Sequence, residues 1–289
     1  MIRYAVTERD LLAAIDREAP TWRARAQHRT THLAALGRYE EGGPDWGEIK
    51  AVYMRLQHCK CIYCERQLEG SDYGQIEHDV EHFRPKNAVE VWSPPSGAFY
   101  PFPLGAEHPA GYYLLAFHPL NYATACKTCN SPLKKNYFPI EGARLHPPTQ
   151  NPGDYDSERP FLLCPLLKGG LDPQKLLTFE GIMARPRYRS GRRHRIARVI
   201  IDFFRLNERE HLLKVRATII RDIFISHSAA TLFSDPDAQQ LVRDALDSKV
   251  HPSAPHASCA LHFKSLCDAD LARAGELALA AQGLLESMR

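Results

Sequence analysis

Two Cys-x-x-Cys pairs, Cys61-Ile-Tyr-Cys64 and Cys126-Lys-Thr-Cys129, carry the clearest chemistry in the sequence. Each pair has the spacing at which two thiolates chelate one tetrahedral ion, so the four together predict a zinc site. A zinc ion with four thiolate ligands has no open position for water or substrate, so it braces the chain and performs no chemistry. Cys59 lies two residues before Cys61, yet only Cys61 stands at the preferred distance from Cys64, and Cys59 reads as a bystander. Cys164, Cys259 and Cys267 have no partner at metal spacing and read as small buried hydrophobes. A disulfide framework suits small secreted chains, whereas these pairs suit metal binding in a reducing compartment.

The reactive groups lie between the pairs. Gln75-Ile-Glu-His-Asp-Val-Glu-His-Phe-Arg-Pro-Lys86 contains two Glu-His steps, and Pro85 ends any ladder or helix there. A carboxylate beside an imidazole divides the labour of hydrolysis. The oxygen binds a hard divalent cation, and the neutral imidazole, which titrates near neutral pH, takes a proton from water. After a long stretch rich in proline and aromatics, a second group appears: Asn121-Tyr-Ala-Thr-Ala-Cys126-Lys-Thr-Cys129-Asn130-Ser-Pro-Leu-Lys134-Lys135.

A CxxC, then Glu-His-Phe-Arg-Pro-Lys, then an Asn, then Cys-x-x-Cys-Asn with following lysines resembles the zinc-supported branch of the HNH endonucleases. The Glu-His-Phe-Arg-Pro-Lys string and the later Asn-Tyr-Phe-Pro139 are most similar to the PtuB-like nucleases of Septu-type and retron-associated bacterial defence systems. The resemblance implies a treble-clef-like ββα-metal unit, in which a hairpin carries the Glu-His step and a helix carries the last Asn. It implies that Glu81 is a metal ligand, His82 the general base, Asn121 the residue holding the hairpin loop, and Asn130 the second protein ligand. An amide oxygen in the last position, in place of histidine, favours Mg²⁺ or Mn²⁺ over a late transition metal. Glu77-His78 competes with Glu81-His82 for the catalytic pair, and the Phe-Arg-Pro-Lys that follows His82 favours the latter. The resemblance also implies DNA as substrate and a PtuA-like ATPase as partner.

Arg84, Lys86, Lys134 and Lys135 stand where they can contact backbone phosphates. Arg185, Arg187, Arg189, Arg192, Arg193, Arg195 and Arg198 form a run without Asp or Glu, within a chain of net charge only +3. Of these, Arg189, Arg192, Arg193 and Arg195 are the leading candidates for binding nucleic acid without reading its sequence. The rival reading is a non-enzymatic zinc module that binds nucleic acid or a protein partner. A small-molecule zinc hydrolase fits poorly, because all four strong zinc ligands are structural.

The elements that must position these groups are mainly helical, giving an α+β chain that is mostly α. Thr7 and Asp10 read as an N-cap and its acidic N3 partner. Ile49, Val52, Tyr53 and Leu56 share one face of a helix leading into Cys59. Apolar spacing predicts helices from Ile196 to Phe204 and Leu212 to Ile223, with two more near 235–246 and 268–285, so the C-terminal half reads as all-helical. The expected layout is an N-terminal helical segment (1–58), a zinc-braced nuclease core (59–145), an irregular proline-rich linker (146–173) and a C-terminal helical domain (174–289). No apolar run approaches the roughly 18 residues of a membrane span, and the N-terminus has no leader pattern, so a soluble cytoplasmic protein is expected.

Overall fold

Thr7 opens the first helix as its sequence predicts, its hydroxyl accepting from the Asp10 N–H at 3.1 Å. The computed structural model describes residues 1–4, 6–69, 77–166, 170–230 and 232–288; Gln75 and Ile76, which begin the Glu-His segment, lie outside these. It is a mainly helical α+β structure with two small sheets. The chain divides into two compact units, one of Arg3–Tyr63 and Leu68–Leu171, the other of Met1–Ile2, Cys64–Gln67 and Asp172–Arg289.

The first unit begins with three helices, α1 (Glu8–Glu18), α2 (Trp22–Leu36) and α3 (Gly47–Leu56). Gly37, left-handed at φ 71°, ends α2 by donating to the Leu33 carbonyl. α3 buries Ile49, Val52 and Tyr53. Two strands follow, β1 (His78–His82) and β2 (Tyr122–Cys126), paired antiparallel with His78 opposite Cys126 and His82 opposite Tyr122. Every residue of β2 is buried. Gln57, at the end of α3, is fully buried and reads β2 like a missing strand: Oε1 accepts from Thr124 N–H at 2.7 Å and Nε2 donates to Thr124 O at 2.8 Å. Ile62 N–H reaches the same carbonyl at 3.0 Å, so the first Cys-x-x-Cys turn is sewn to the strand that ends at the second.

After β2 the chain turns into a short helix that widens to π geometry over Cys129–Lys134. Pro132 lies inside it, lacking an N–H and crowding the preceding turn, which the wider turn accommodates. The connection between the strands is long and proline-rich but well packed. Gly111 shows how tightly: at φ +62°, an added Cβ would lie 1.9 Å from the Asn87 carbonyl oxygen.

The second unit contains β3 (Leu177–Glu180) and β4 (Met183–Pro186), an antiparallel hairpin, then α4 (Gly191–Phe203), α5 (Glu210–Ala230), α6 (Pro236–Val250), α7 (Ala257–Ala269) and α8 (Leu271–Ser287). The hairpin corrects the all-helical expectation. Gly181 at φ +55° turns it, and its four-residue strands are too short to leave a readable alternation. Helix α7 was not anticipated either; it buries Ala257, Ser258, Cys259 and Ala260 in succession, small residues with little hydrophobic contrast. The core joins Ile220 and Ile223 of α5 to Phe263 of α7 and a small-residue seam of Ala274, Ala278 and Ala281 on α8. Asn207 clasps Ala184 of β4 with both amide groups, at 2.8 and 2.9 Å. The buried Arg216 donates to the carbonyls of Leu206 and Ile182 at 2.7 and 3.2 Å.

Candidate functional site

Cys61, Cys64, Cys126 and Cys129 are all buried, and their sulfurs lie within 4.8 Å of one another. With Zn–S bonds of about 2.3 Å, tetrahedral thiolates sit slightly under 4 Å apart, so the group has the donor set and spacing to hold zinc. No other metal-holding cluster of His, Cys, Asp and Glu occurs among the described residues. Cys59, partly buried and left-handed at φ 51°, accepts the Leu68 N–H on its carbonyl.

Strand β1 presents its side chains alternately, which sends Asp79 and Glu81 to one face and His78, Val80 and His82 to the other. His82 ends the strand. Its ring packs edge-on to Trp46 and Tyr122, with centroids 4.9 and 5.0 Å away, and its Nε2 lies 3.0 Å from the Ala116 carbonyl. Only Nε2–H can donate to a carbonyl, so this contact places the lone pair on Nδ1. Burial, with the nearby Lys86 ammonium, pulls the imidazole down to about 3, so it is neutral near pH 7. His78, the other candidate, is buried with Nε2 3.0 Å from the Glu69 carbonyl.

Glu81 is buried, and its Oε1 meets the buried Lys134 ammonium at 3.0 Å. Burial raises its carboxyl pKa, opposed by Lys134. Lys134 also donates to the His82 carbonyl at 3.3 Å. Asn130, partly buried, donates from Nδ2 to Asp79 at 2.9 Å, and Lys127 pairs with the same carboxylate at 2.6 Å. The carboxylate within hydrogen-bond reach of Asn130 is therefore that of Asp79, a residue the sequence reading did not single out. Its signal was alternation with Glu81 along β1.

Asn121 is buried just before β2. Its Oδ1 accepts from Arg84 N–H at 2.8 Å, while Nδ2 donates to Arg84 O at 2.9 Å and Leu115 O at 3.1 Å. It thus ties the turn leaving β1 to the chain entering β2. Arg84 is enclosed: it pairs with the buried Glu158 at 2.6 Å amid the rings of Tyr112, Phe138 and Tyr155. A phosphate contact by Arg84 would require that enclosure to open. Lys86, partly buried, lies 4.3 Å from the ring centroids of both Tyr39 and Trp46. Lys135 is exposed beside Tyr137.

In the second unit, Arg189 and Arg193 are exposed, and Arg192 and Arg195 partly buried, around the first turn of α4. Arg193 donates to the Tyr188 hydroxyl at 2.9 Å. Cations are unfavourable at the positive end of a helix dipole, and this end carries no side-chain cap.

These features define a class, a mainly helical α+β protein with an antiparallel strand pair next to a buried four-cysteine group that could hold zinc. Within it, the chain is 32% identical over 177 residues to the Septu protein PtuB of Bacillus mycoides (strain KBAB4). The match covers 61% of this chain and 52% of that protein, so the chain spans about half the length of its curated relative. No family model matches the sequence, and no solved structure matches it. Among the described residues, no helix is long and apolar enough to cross a membrane.

Proposed function

We propose that this protein is an HNH-type endonuclease that hydrolyses phosphodiester bonds in DNA, with residues 59–145 as its nuclease core. The supporting observation is the setting of His82, whose Nε2–H is committed to the Ala116 carbonyl at 3.0 Å, leaving Nδ1 to accept a proton. Its edge-on contacts with Trp46 and Tyr122 hold the ring plane, so the base is aimed before substrate arrives. Asn121 holds the turn behind it. Lys86, Lys135 and the arginines at the start of α4 are the proposed phosphate contacts, and Arg189, Arg192, Arg193 and Arg195 supply affinity without sequence preference.

The oxygen donors of Glu81 and Asn130 suit a hard cation, Mg²⁺ or Mn²⁺, with Asp79 on the same strand face as Glu81. When bound, that cation would stabilise charge on the phosphate and the leaving oxygen. In the structure Lys134 neutralises Glu81, so it must give way where Glu81 takes a dication. The zinc group, sharing Cys129 with the turn that carries Asn130, braces the site. The likeness to a Septu protein supports a role in antiphage defence. A PtuA-like ATPase is the proposed partner, by the resemblance in the sequence.

The pairing of Glu81 with Lys134 favours a second reading, a non-enzymatic zinc module binding nucleic acid or a protein. Two measurements separate them. Purified protein with Mg²⁺ or Mn²⁺ is expected to cut DNA, and His82→Ala to abolish cutting while keeping zinc and a cooperative melt, at a melting temperature lowered by the lost ring contacts and hydrogen bond; retained cutting by His82→Ala refutes the assignment of the base. Calorimetric titration of Mn²⁺ into zinc-loaded protein is expected to show a site that Asn130→Ala weakens. The module reading expects neither cleavage nor that site.

A further inference from the structure

Glu158 lies in the proline-rich stretch that reads as a linker, yet its carboxylate is fully buried within the first unit. Oε2 accepts from the Arg84 guanidinium at 2.6 Å and the Tyr112 hydroxyl at 2.7 Å, and Oε1 accepts from the Leu145 N–H at 2.9 Å. The other arm of Arg84 donates to the Tyr155 carbonyl at 3.0 Å, and its plane is enclosed by rings whose centroids lie 4.8 to 5.1 Å away. A buried ion pair is a weak source of net stability, because apolar residues of similar volume often do as well. What the pair secures is the place of the Arg84 backbone.

That backbone is the partner of Asn121. Asn121 also holds the Leu115 carbonyl, and the next residue, Ala116, presents the carbonyl that receives the His82 Nε2–H. An unbroken series of bonds therefore runs from Glu158 through Arg84 and Asn121 to the imidazole.

We propose that Arg84 and Glu158 act as one positioning unit that sets the orientation of the His82 ring, and that Arg84 makes no contact with nucleic acid. The proposal rests on the nuclease reading for its catalytic consequence, while the orientation of the ring can be observed without cleavage.

The test compares wild type, Arg84→Met, Arg84→Lys, Glu158→Gln and the double variant Arg84→Met/Glu158→Gln. Cleavage of a short DNA duplex gives kcat and KM below the lowest melting temperature, and ¹⁵N NMR of the histidine rings follows the His82 Nε2–H. Positioning predicts a kcat loss on the order of 10²-fold at unchanged KM, the scale expected for misplacing a reacting group. Arg84→Lys should fail to restore kcat, since a point-like ammonium does not reproduce the planar fork whose two nitrogens reach Glu158 and the Tyr155 carbonyl separately, and the double variant should be no worse than either single one. The His82 signal should shift in Glu158→Gln, a nearly isosteric change that keeps the fold if Arg84→Met does not.

A phosphate contact predicts the opposite pattern, a higher KM in Arg84→Met, rescue by Arg84→Lys and indifference to Glu158→Gln. That pattern overturns the proposal, as does an unmoved His82 signal in Glu158→Gln. A wild type that does not cleave, with a His82 signal that still shifts, refutes the nuclease reading and leaves the positioning unit standing.

Discussion

Replacing Asn121 tests the geometry behind the proposed base directly. The side chain is 2% exposed and makes three hydrogen bonds, one accepted from Arg84 N–H and two donated to the carbonyls of Arg84 and Leu115. Asn121→Ala leaves all three buried backbone groups without that partner. At about 1 kcal/mol each the loss is about 3 kcal/mol. For a cooperative unit of about 150–250 residues that corresponds to roughly 6–12 °C in melting temperature. Asn121→Asp is more discriminating, because it keeps the acceptor for Arg84 N–H but turns a carboxylate toward two carbonyl oxygens. The folded state then raises the Asp pKa above its unfolded value of about 3.9. The folded state binds more protons, so stability is retained at low pH and lost as pH rises through the folded value. Thermal melts at pH 5 and pH 8, each referred to wild type at the same pH, should show a larger deficit for Asn121→Asp at pH 8. An Asn121→Ala protein melting within 2 °C of wild type, or an Asn121→Asp deficit independent of pH, would refute the role assigned to this amide.

Zinc content measured by mass spectrometry should fall from one ion per chain to substoichiometric in Cys126→Ala, with a lower melting temperature. Full zinc retention would show that the thiol group is not the site. Lys134→Met removes the cation that meets Glu81 at 3.0 Å and should cost about 3–5 kcal/mol, most of it recovered in Glu81→Gln/Lys134→Met; urea denaturation reads both. His118 is held down to about 4 by burial, and its Nδ1 accepts the Leu120 N–H at 3.2 Å. Its pKa is depressed on folding, so its contribution is complete above about pH 6.5 and falls as pH drops toward 4, by up to about 3 kcal/mol. His118→Asn, which can still accept from Leu120, should flatten that limb of the stability–pH curve; an unchanged curve rejects the assignment.

The parts of the molecule legible in the sequence are those whose signal is local. The thiol pairs declare themselves by a fixed spacing and converge as a buried group, and Thr7 caps α1 with the bond its type implies. Helix α2 was missed because its buried face is Trp22, Ala26, Thr30 and Leu33, too mixed in size and polarity for apolar periodicity to reveal. Gln57 and Glu158 were missed for a different reason. A buried polar residue is recognised by partners brought from far along the chain, Thr124 at a separation of 67 residues and Arg84 at 74. No local pattern encodes such a meeting.

The same distinction explains why charge was the weakest guide to the site. Arg84, Lys86, Lys134 and Lys135 look alike on paper, four cations flanking the two halves of the proposed site. Folding separates them by what lies opposite: Arg84 meets the buried Glu158, Lys134 meets the buried Glu81, Lys86 sits between two aromatic rings with the exposed Glu41 carboxylate 3.5 Å away, and Lys135 faces solvent. A cation buried against a carboxylate is already neutralised, and drawing it out to a phosphate would strand its partner in a low-dielectric interior at a cost of several kcal/mol. An exposed lysine pays no such penalty. In the proposed nuclease the two enclosed cations therefore fix the frame around His82, and attraction for the nucleic-acid backbone would fall to Lys135, Lys86 and the arginines at the start of α4.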